Sequence, residues 1–306
     1  MRIVSLLASA TEIVDLLGAS DELVGISHEC DYPPHVLDRP RLSRARFDLQ
    51  GLDSGEVDRA VREAMRVHGS VYELDAATLA ELDPDLILTQ AVCEVCAVPT
   101  AGVHETVNSA GLRAEVLSLD AHSLAEIFST VEAVGRATGQ TELGLSLADE
   151  MRARAEAVRS RVEGASRPRV LAIEWLSPPF TPGHWVPEMI EFAGGQNLVG
   201  DAASRSREVR WEDLEDLDPD VLVIMPCGYD LSAARSDANA HASQLARVAS
   251  RAIEDGKAFV VDASAYFNRS GPRVLTGIEI LAALLHPDLF EPPDPATAVR
   301  WTAGTF

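Results

Sequence analysis

The feature that most constrains this chain is a phrase it uses twice. Residues 79–90 read LAELDPDLILTQ and residues 214–226 read LEDLDPDVLVIMP. Each is Leu-x-x-Leu, then Asp-Pro-Asp, then an unbroken apolar run. A residue before proline is pushed out of the helical region, so a helix carrying the two leucines should end at Asp83 and again at Asp218. The run that follows lacks polar alternation, which is how a strand buried on both faces reads. A helix feeding a two-sided strand, met once in each half, predicts two related lobes built on parallel sheets.

Other segments extend the pattern. Arg2–Leu7, Leu23–Ser27, Leu86–Gln90 and Ala114–Leu119 read as strands of the first half. Arg169–Glu174, Val221–Met225 and Phe259–Asp262 read as strands of the second. Ser9-Ala-Thr-Glu12 fits a capping box, with a helix to about Leu17 and Gly18 just past its end. Ser54 to about Val67 is amphipathic, with Val57, Val61, Ala64 and Met65 on one face. Residues 122–163 read as helical almost throughout, with a break near Gly139, and Arg167-Pro168 marks a boundary. Helices are expected over about Leu231–Asp255 and Pro272–Leu285. The predicted fold is α/β: a lobe over 1–121, a linking helix over 122–165 and a second lobe over 166–306. These are two Rossmann-like lobes with parallel sheets, joined by one long helix, with a ligand cleft between them. Ligands of open α/β sheets bind beyond the strand carboxyl ends, so the loops there are the candidate site.

Charge narrows the partners. The formal net charge is −22, and Lys257 is the only lysine. Such a surface repels nucleic acid and anionic membranes. No stretch approaches the ~18 uncharged apolar residues of a membrane span, so membrane insertion is not expected. The opening MRIVSLLASATEIVDLLG is interrupted by Glu12 and Asp15 and reads as strand then helix rather than signal peptide. On that basis a cytoplasmic location is expected, or an exported one if further residues precede Met1. Four cysteines do not make a disulfide framework.

SLLASATEIVDLLGASDELVGISHECDYP (5–33), the two L-x-P-D strands and GHWVPEMIEFAGG (183–195) together resemble the cobalamin and iron-chelate substrate-binding proteins of ABC importers. The resemblance covers nearly the whole chain. It implies a ligand clamped between two α/β lobes, a single rigid linking helix and little hinge motion. It also implies a non-catalytic role, with cobalamin as the ligand. In that family an acidic residue on each lobe docks a permease. The second lobe offers Glu212 and Asp213 there, while the first offers Ala76-Ala77-Thr78 with only Asp75 nearby. This departure, with the opening residues, favours a cytoplasmic protein on the same scaffold and makes an ABC permease partner doubtful.

The strand-end loops supply the binding candidates. In the first lobe they are Ser9, His28, Glu29 and Tyr32. His28 is the candidate for axial contact with cobalt. In the second lobe WLSPPFTPGHW (175–185) places Trp175, Phe180, His184 and Trp185 as a stiff apolar wall suited to a macrocycle, or as a local aromatic core. Tyr229 follows the strand ending at Met225. Tyr266, Asn268 and Arg269 follow the last strand, where Asn268 suits corrin amides and Arg269 an anionic group or an acidic neighbour. Cys30, Cys93, Cys96 and His28 could bind zinc or iron, and Cys93-x-x-Cys96 could serve redox chemistry or merely pack. That leaves a metal or a metal chelate, siderophore- or haem-like, as the second reading. An enzyme acting on a corrinoid-type cofactor is the third. No G-x-S-x-G, phosphate-binding Gly-rich loop or H-E-x-x-H occurs in the sequence, so no catalytic residue is assigned.

Overall fold

The structure, a computed structural model, describes residues 1–48, 51–92 and 98–302. The first lobe runs β1 (Ile3–Ser5), α1 (Ala8–Leu16), β2 (Leu23–Ile26), β3 (Ser43–Ala45), α2 (Ser54–His68), β4 (Tyr72–Leu74), α3 (Ala76–Leu82), β5 (Leu86–Thr89), α4 (Thr100–Ala110) and β6 (Glu115–Ser118). Its main sheet is parallel, in the order β2-β1-β5-β6, and β3 and β4 form a small antiparallel pair. Two helices follow, α5 (Leu124–Ala137) and α6 (Thr141–Arg161). The second lobe opens with β7 (Arg169–Ile173), the hairpin β8 (Trp175–Leu176) and β9 (Pro179–Thr181), and α7 (Val186–Phe192). It continues through β10 (Gln196–Asn197), β11 (Arg207–Glu208), β12 (Val221–Ile224), α8 (Leu231–Ala240) and α9 (Ala242–Glu254). It ends with β13 (Ala258–Val261), α10 (Ala263–Tyr266), α11 (Val274–Leu285) and β14 (Ala298–Arg300). Its main sheet is ordered β10-β7-β12-β13-β14, with β14 antiparallel on the edge.

The repeated phrase is a repeated structure. In the order of the strands, β2-β1-β5-β6 is matched by β10-β7-β12-β13. Asp83 and Asp218 both take the left-handed conformation, with φ of 38° and 42°, and each ends a helical segment. Asp85 accepts the backbone N–H of Arg2 at 2.7 Å, and Asp220 accepts that of Arg169 at 2.8 Å. The two arginines then cap the carbonyls at the preceding helix end. Arg2 donates to Leu82 O, and Arg169 donates to Leu217 O and Asp218 O. Each Asp-Pro-Asp turn thus ties a helix end to the base of its lobe's first strand, satisfying carbonyls that the helix leaves open.

Strand alternation builds the core. Ile3, Leu86, Leu88, Val170, Ala172, Val221 and Val223 face one way, into a single apolar cluster that includes α5, α6 and α11 and spans both lobes. Their neighbours Val4 and Ile87 face a second cluster confined to the first lobe, and Leu171, Ile173, Leu222 and Ile224 a third confined to the second. This two-sided burial is the reason the strands read as continuous apolar runs.

The long helical run is two helices. Gly139, with φ +74°, turns the chain between them. A Cβ on Gly135 would lie 2.9 Å from Gly144 Cα, so the paired glycines let the helices close on each other. Helix α5 packs on α1, whereas α6 packs on α7 and α11 of the second lobe. The 21-residue α6 is therefore the long helix between the lobes, and the shared core along it makes the joint stiff. The helix expected over Leu231–Asp255 is likewise divided, at His241. The two- and three-residue strands β3, β4, β8 to β11 and β14 were not anticipated, because runs that short carry no period.

Candidate functional site

The loops beyond the carboxyl ends of the two main sheets meet, and several sets of polar contacts join the lobes, among them Arg62 of α2 to Glu208 of β11 at 2.8 Å. At the first margin, Arg273 donates from Nε and Nη2 to both oxygens of Glu12, at 3.0 and 2.6 Å. Arg269 pairs in the same two-pronged way with Asp31. Ser9 Oγ lies 3.5 Å from Ser270 Oγ, and Gly271 sits so close to Ser9 that a Cβ there would be 2.7 Å from Ser9 Cβ. At the second margin, Leu124 N–H donates to Glu188 at 2.7 Å, and the rings of His122 and His184 are 5.7 Å apart. A third contact joins Ser54, at the start of α2, to Asp237 of α8 at 2.8 Å, with His241 Nδ1 3.2 Å from the same carboxylate.

The helix start at Ser9 corrects one expectation. Helix α1 begins at Ala8, Leu7 precedes it, and no side chain caps it. Glu12 is not a capping partner; it is a buried carboxylate, 4% exposed, whose charge is matched by the opposite lobe. Burial pushes its pKa up, against the hydrogen bond and charge of Arg273. Asp31 is 53% exposed, and the bonds and charges of Arg269 and Arg273 outweigh its partial burial and hold its pKa down.

The other first-lobe candidates form a smaller group. His28 Nδ1 lies 2.8 Å from Ser43 Oγ, its ring packs 4.8 Å from that of Tyr72, and its Nε2 is 3.1 Å from Glu29. The adjacent His28 ring lowers the Glu29 pKa, against its burial. Tyr32 is exposed and lies beneath the Arg273 guanidinium, 5.1 Å from ring centre to Cζ. Cys30 turns into the lobe among Ala8, Ile26 and Leu37, with its sulfur 3.1 Å from Thr11 Oγ1. Burial raises its thiol pKa, against the hydrogen bond with Thr11. Cys93 and Cys96 lie outside the described residues. Among the described residues no three His, Cys, Asp or Glu side chains gather as a metal site.

In the second lobe the aromatic wall divides. Trp175 and Tyr229, from the ends of neighbouring strands, pack edge to face at 5.1 Å. Burial, with the charges of Asp237 and Asp53, pushes the Tyr229 pKa to about 12. Phe180 sits in β9 opposite Trp175. Trp185 belongs to the core instead: it is 7% exposed and donates to Phe267 O at 2.8 Å. Tyr266 packs against that core, 5.9 Å from Arg273. Asn268 accepts from Gly228 N–H through Oδ1 at 3.4 Å, and its buried Nδ2 has no partner among the described residues. Arg269 takes its acidic neighbour, Asp31, as its partner. Glu174, at the end of β7, was missed. Burial pushes its pKa to about 7 against bonds from Ser206 Oγ–H and Gly183 N–H. Arg273, Asp31, Asp237 and His122 were missed too; each is identified only by a partner in the other lobe.

A profile of periplasmic binding proteins matches residues 3–262. The chain is 24% identical over 289 residues to the vitamin B12-binding protein of Vibrio cholerae, covering 93% of this chain and 88% of that one. It is 23% identical over 301 residues to an uncharacterized ABC transporter substrate-binding lipoprotein of Bacillus subtilis, covering 95% and 81%. The solved structure of a periplasmic heme binding protein from Pseudomonas aeruginosa superimposes with a TM-score of 0.72 at 22% identity, over 100% of this chain and 99% of that one. The expected cytoplasmic location falls with these matches, since the similar proteins are periplasmic or lipoproteins. An opening strand pairs in a sheet identically in either compartment, so those residues carried no weight. Among the described residues no helix is long and apolar enough to cross a membrane.

Proposed function

The chain belongs to the periplasmic binding protein family, and from that premise we propose that it is a non-catalytic binding protein that holds a corrinoid, cobalamin, between its lobes and presents it to an ABC permease. The observation that carries this reading is the similarity to a vitamin B12-binding protein over 93% of the chain. The geometry supports it. The Trp175–Tyr229 pair offers apolar, edge-packed surface, and the unpartnered Asn268 Nδ2 is a donor suited to an amide carbonyl of a corrin side chain. The stiff inter-lobe core suits a preformed cleft, which lowers the ordering cost of binding. Glu212, largely exposed on the second lobe, is the permease-facing candidate there.

Titration with aqua- or methylcobalamin, followed by absorbance and calorimetry, tests this. Saturable binding is expected, weakened about tenfold by Asn268→Ala, the worth of one buried hydrogen bond. A spectral shift that disappears in His28→Ala would identify His28 as the axial contact. No heat and no spectral change at micromolar ligand sinks the proposal. Hemin is the second arm: tighter binding of hemin than of cobalamin would move the chain to the metal-chelate reading, and chemically altered ligand on release would move it to an enzyme.

A further inference from the structure

The second margin holds a pair of histidines; the sequence puts His184 in the macrocycle wall, but in the structure its ring lies beside that of His122 from the other lobe. His122 follows β6 in the first lobe and His184 follows β9 in the second, with ring centres 5.7 Å apart and planes tilted by 35°. Both are fixed from behind. His122 N–H donates to Glu126 at 2.6 Å, and Leu124 N–H ties the same loop to Glu188 across the lobes. His184 sits at φ +52°, a conformation that a residue with a Cβ adopts rarely. Its N–H donates to Ser204 O at 2.6 Å, and its carbonyl accepts from Ala203 N–H at 2.9 Å. Its ring lies against Trp185, 5.7 Å between centres. Backbone held in a sparsely populated region by surrounding contacts is a mark of functional sites. His184 Nδ1 is buried and has no hydrogen-bond partner among the described residues.

We propose that His122 and His184 together bind a divalent transition-metal ion of the zinc, nickel or copper class, which bridges the two lobes at this margin. An imidazole nitrogen at ~2.1 Å from a metal puts the ring centre about 3.2 Å away, so two rings on one ion have centres at most about 6.4 Å apart. The observed 5.7 Å lies within that reach. Imidazole suits these ions. It must be neutral to ligate. Among the described residues no third His, Cys, Asp or Glu completes a group of three, so the ion keeps open positions for water or for a donor on the cleft's occupant. The site is independent of the corrinoid reading and stands or falls without it.

The test uses the full chain carrying Cys93→Ser and Cys96→Ser, which removes thiols that could take up metal by themselves, after treatment with a chelator. Zinc is titrated by calorimetry, and copper is followed by electron paramagnetic resonance for nitrogen coupling. One equivalent is expected to bind at micromolar zinc. His122→Asn and His184→Asn should each weaken it about tenfold or more, a loss that even outer-shell partners of a ligand can cause. Asn tolerates the left-handed backbone at 184, so folding is preserved, and melting of the metal-free variants checks it. His68→Ala, at the exposed end of α2, should leave metal binding unchanged. No binding at 100 equivalents of zinc overturns the proposal, as does binding that survives either asparagine variant. Loss of cobalamin binding with zinc binding intact would refute the corrinoid reading alone.

Discussion

Two of the margins where the lobes meet are made of different materials. The first is ionic: two arginines of the second lobe face Glu12 and Asp31 of the first. The second is carried by one backbone hydrogen bond and two rings. Within the first margin the two carboxylates also differ. Glu12 is sealed and its pKa is raised by burial; Asp31 is half open to water and its pKa is lowered by the arginines. The contrast shows that one pair of arginines does two jobs. Arg273 neutralises a charge that the fold has buried and also reaches Asp31 at 3.3 Å, while Arg269 makes the main exposed tie, which water and salt loosen.

Cutting the buried pair should have the largest effect. Arg273→Met removes both hydrogen bonds to Glu12 and leaves it Arg269 at 3.8 Å; it should cost about 3 kcal/mol at neutral pH, the low end of the range for a broken buried pair. Denaturant unfolding measures it, and adding Glu12→Gln should recover more than half. A loss under about 1 kcal/mol would mean that Glu12 reaches water once unpaired. Next is Gly271→Ala, whose new methyl group would meet Ser9 Cβ at 2.7 Å and Ser9 Cα at 3.2 Å. Overpacking of this kind costs about 1–3 kcal/mol. Ser9→Gly in the same chain should relieve most of it, and no relief would show that the lobes do not approach through this pair.

The smallest effect should come from the exposed tie. Asp31→Asn should cost under about 1 kcal/mol at pH 6 and less still in 1 M salt. The sign with pH is set by the two shifts. Asp31 has its folded pKa below 3.8, so its stabilisation is present above that value and is lost as pH falls through the folded pKa. Glu12 has its folded pKa above 4.5, so its contribution is present below 4.5 and is lost as pH rises through the folded pKa. The gap between wild type and Asp31→Asn should therefore close as the pH drops below about 4. A gap that stays constant to pH 3 would show that the Asp31–Arg269 pair gives no net stabilisation.

The sequence by itself determined the two-lobed parallel α/β fold. Strand burial and turn chemistry are local properties, and the two Asp-Pro-Asp turns carry both in residues adjacent along the chain. It also placed Trp175, Tyr229 and Asn268 just beyond main-sheet strands, because strand ends can be found from the strands. Only the tertiary structure decided what each margin is made of. Glu12 and Arg273 are 261 residues apart, and nothing local distinguishes a partner at that distance from a helix cap. Ser9 and Glu12 have the spacing of a capping box, yet the chain enters α1 two residues early, with Leu7 at the cap position, and the carboxylate turns to the other lobe. Trp185 and Cys30 lie in loops at strand ends, yet their side chains pack into the apolar clusters beneath, a direction that the strand pattern does not encode. Periodicity fixes which elements form; the approach of one lobe to the other fixes which polar groups lose water, and hence which must be paired.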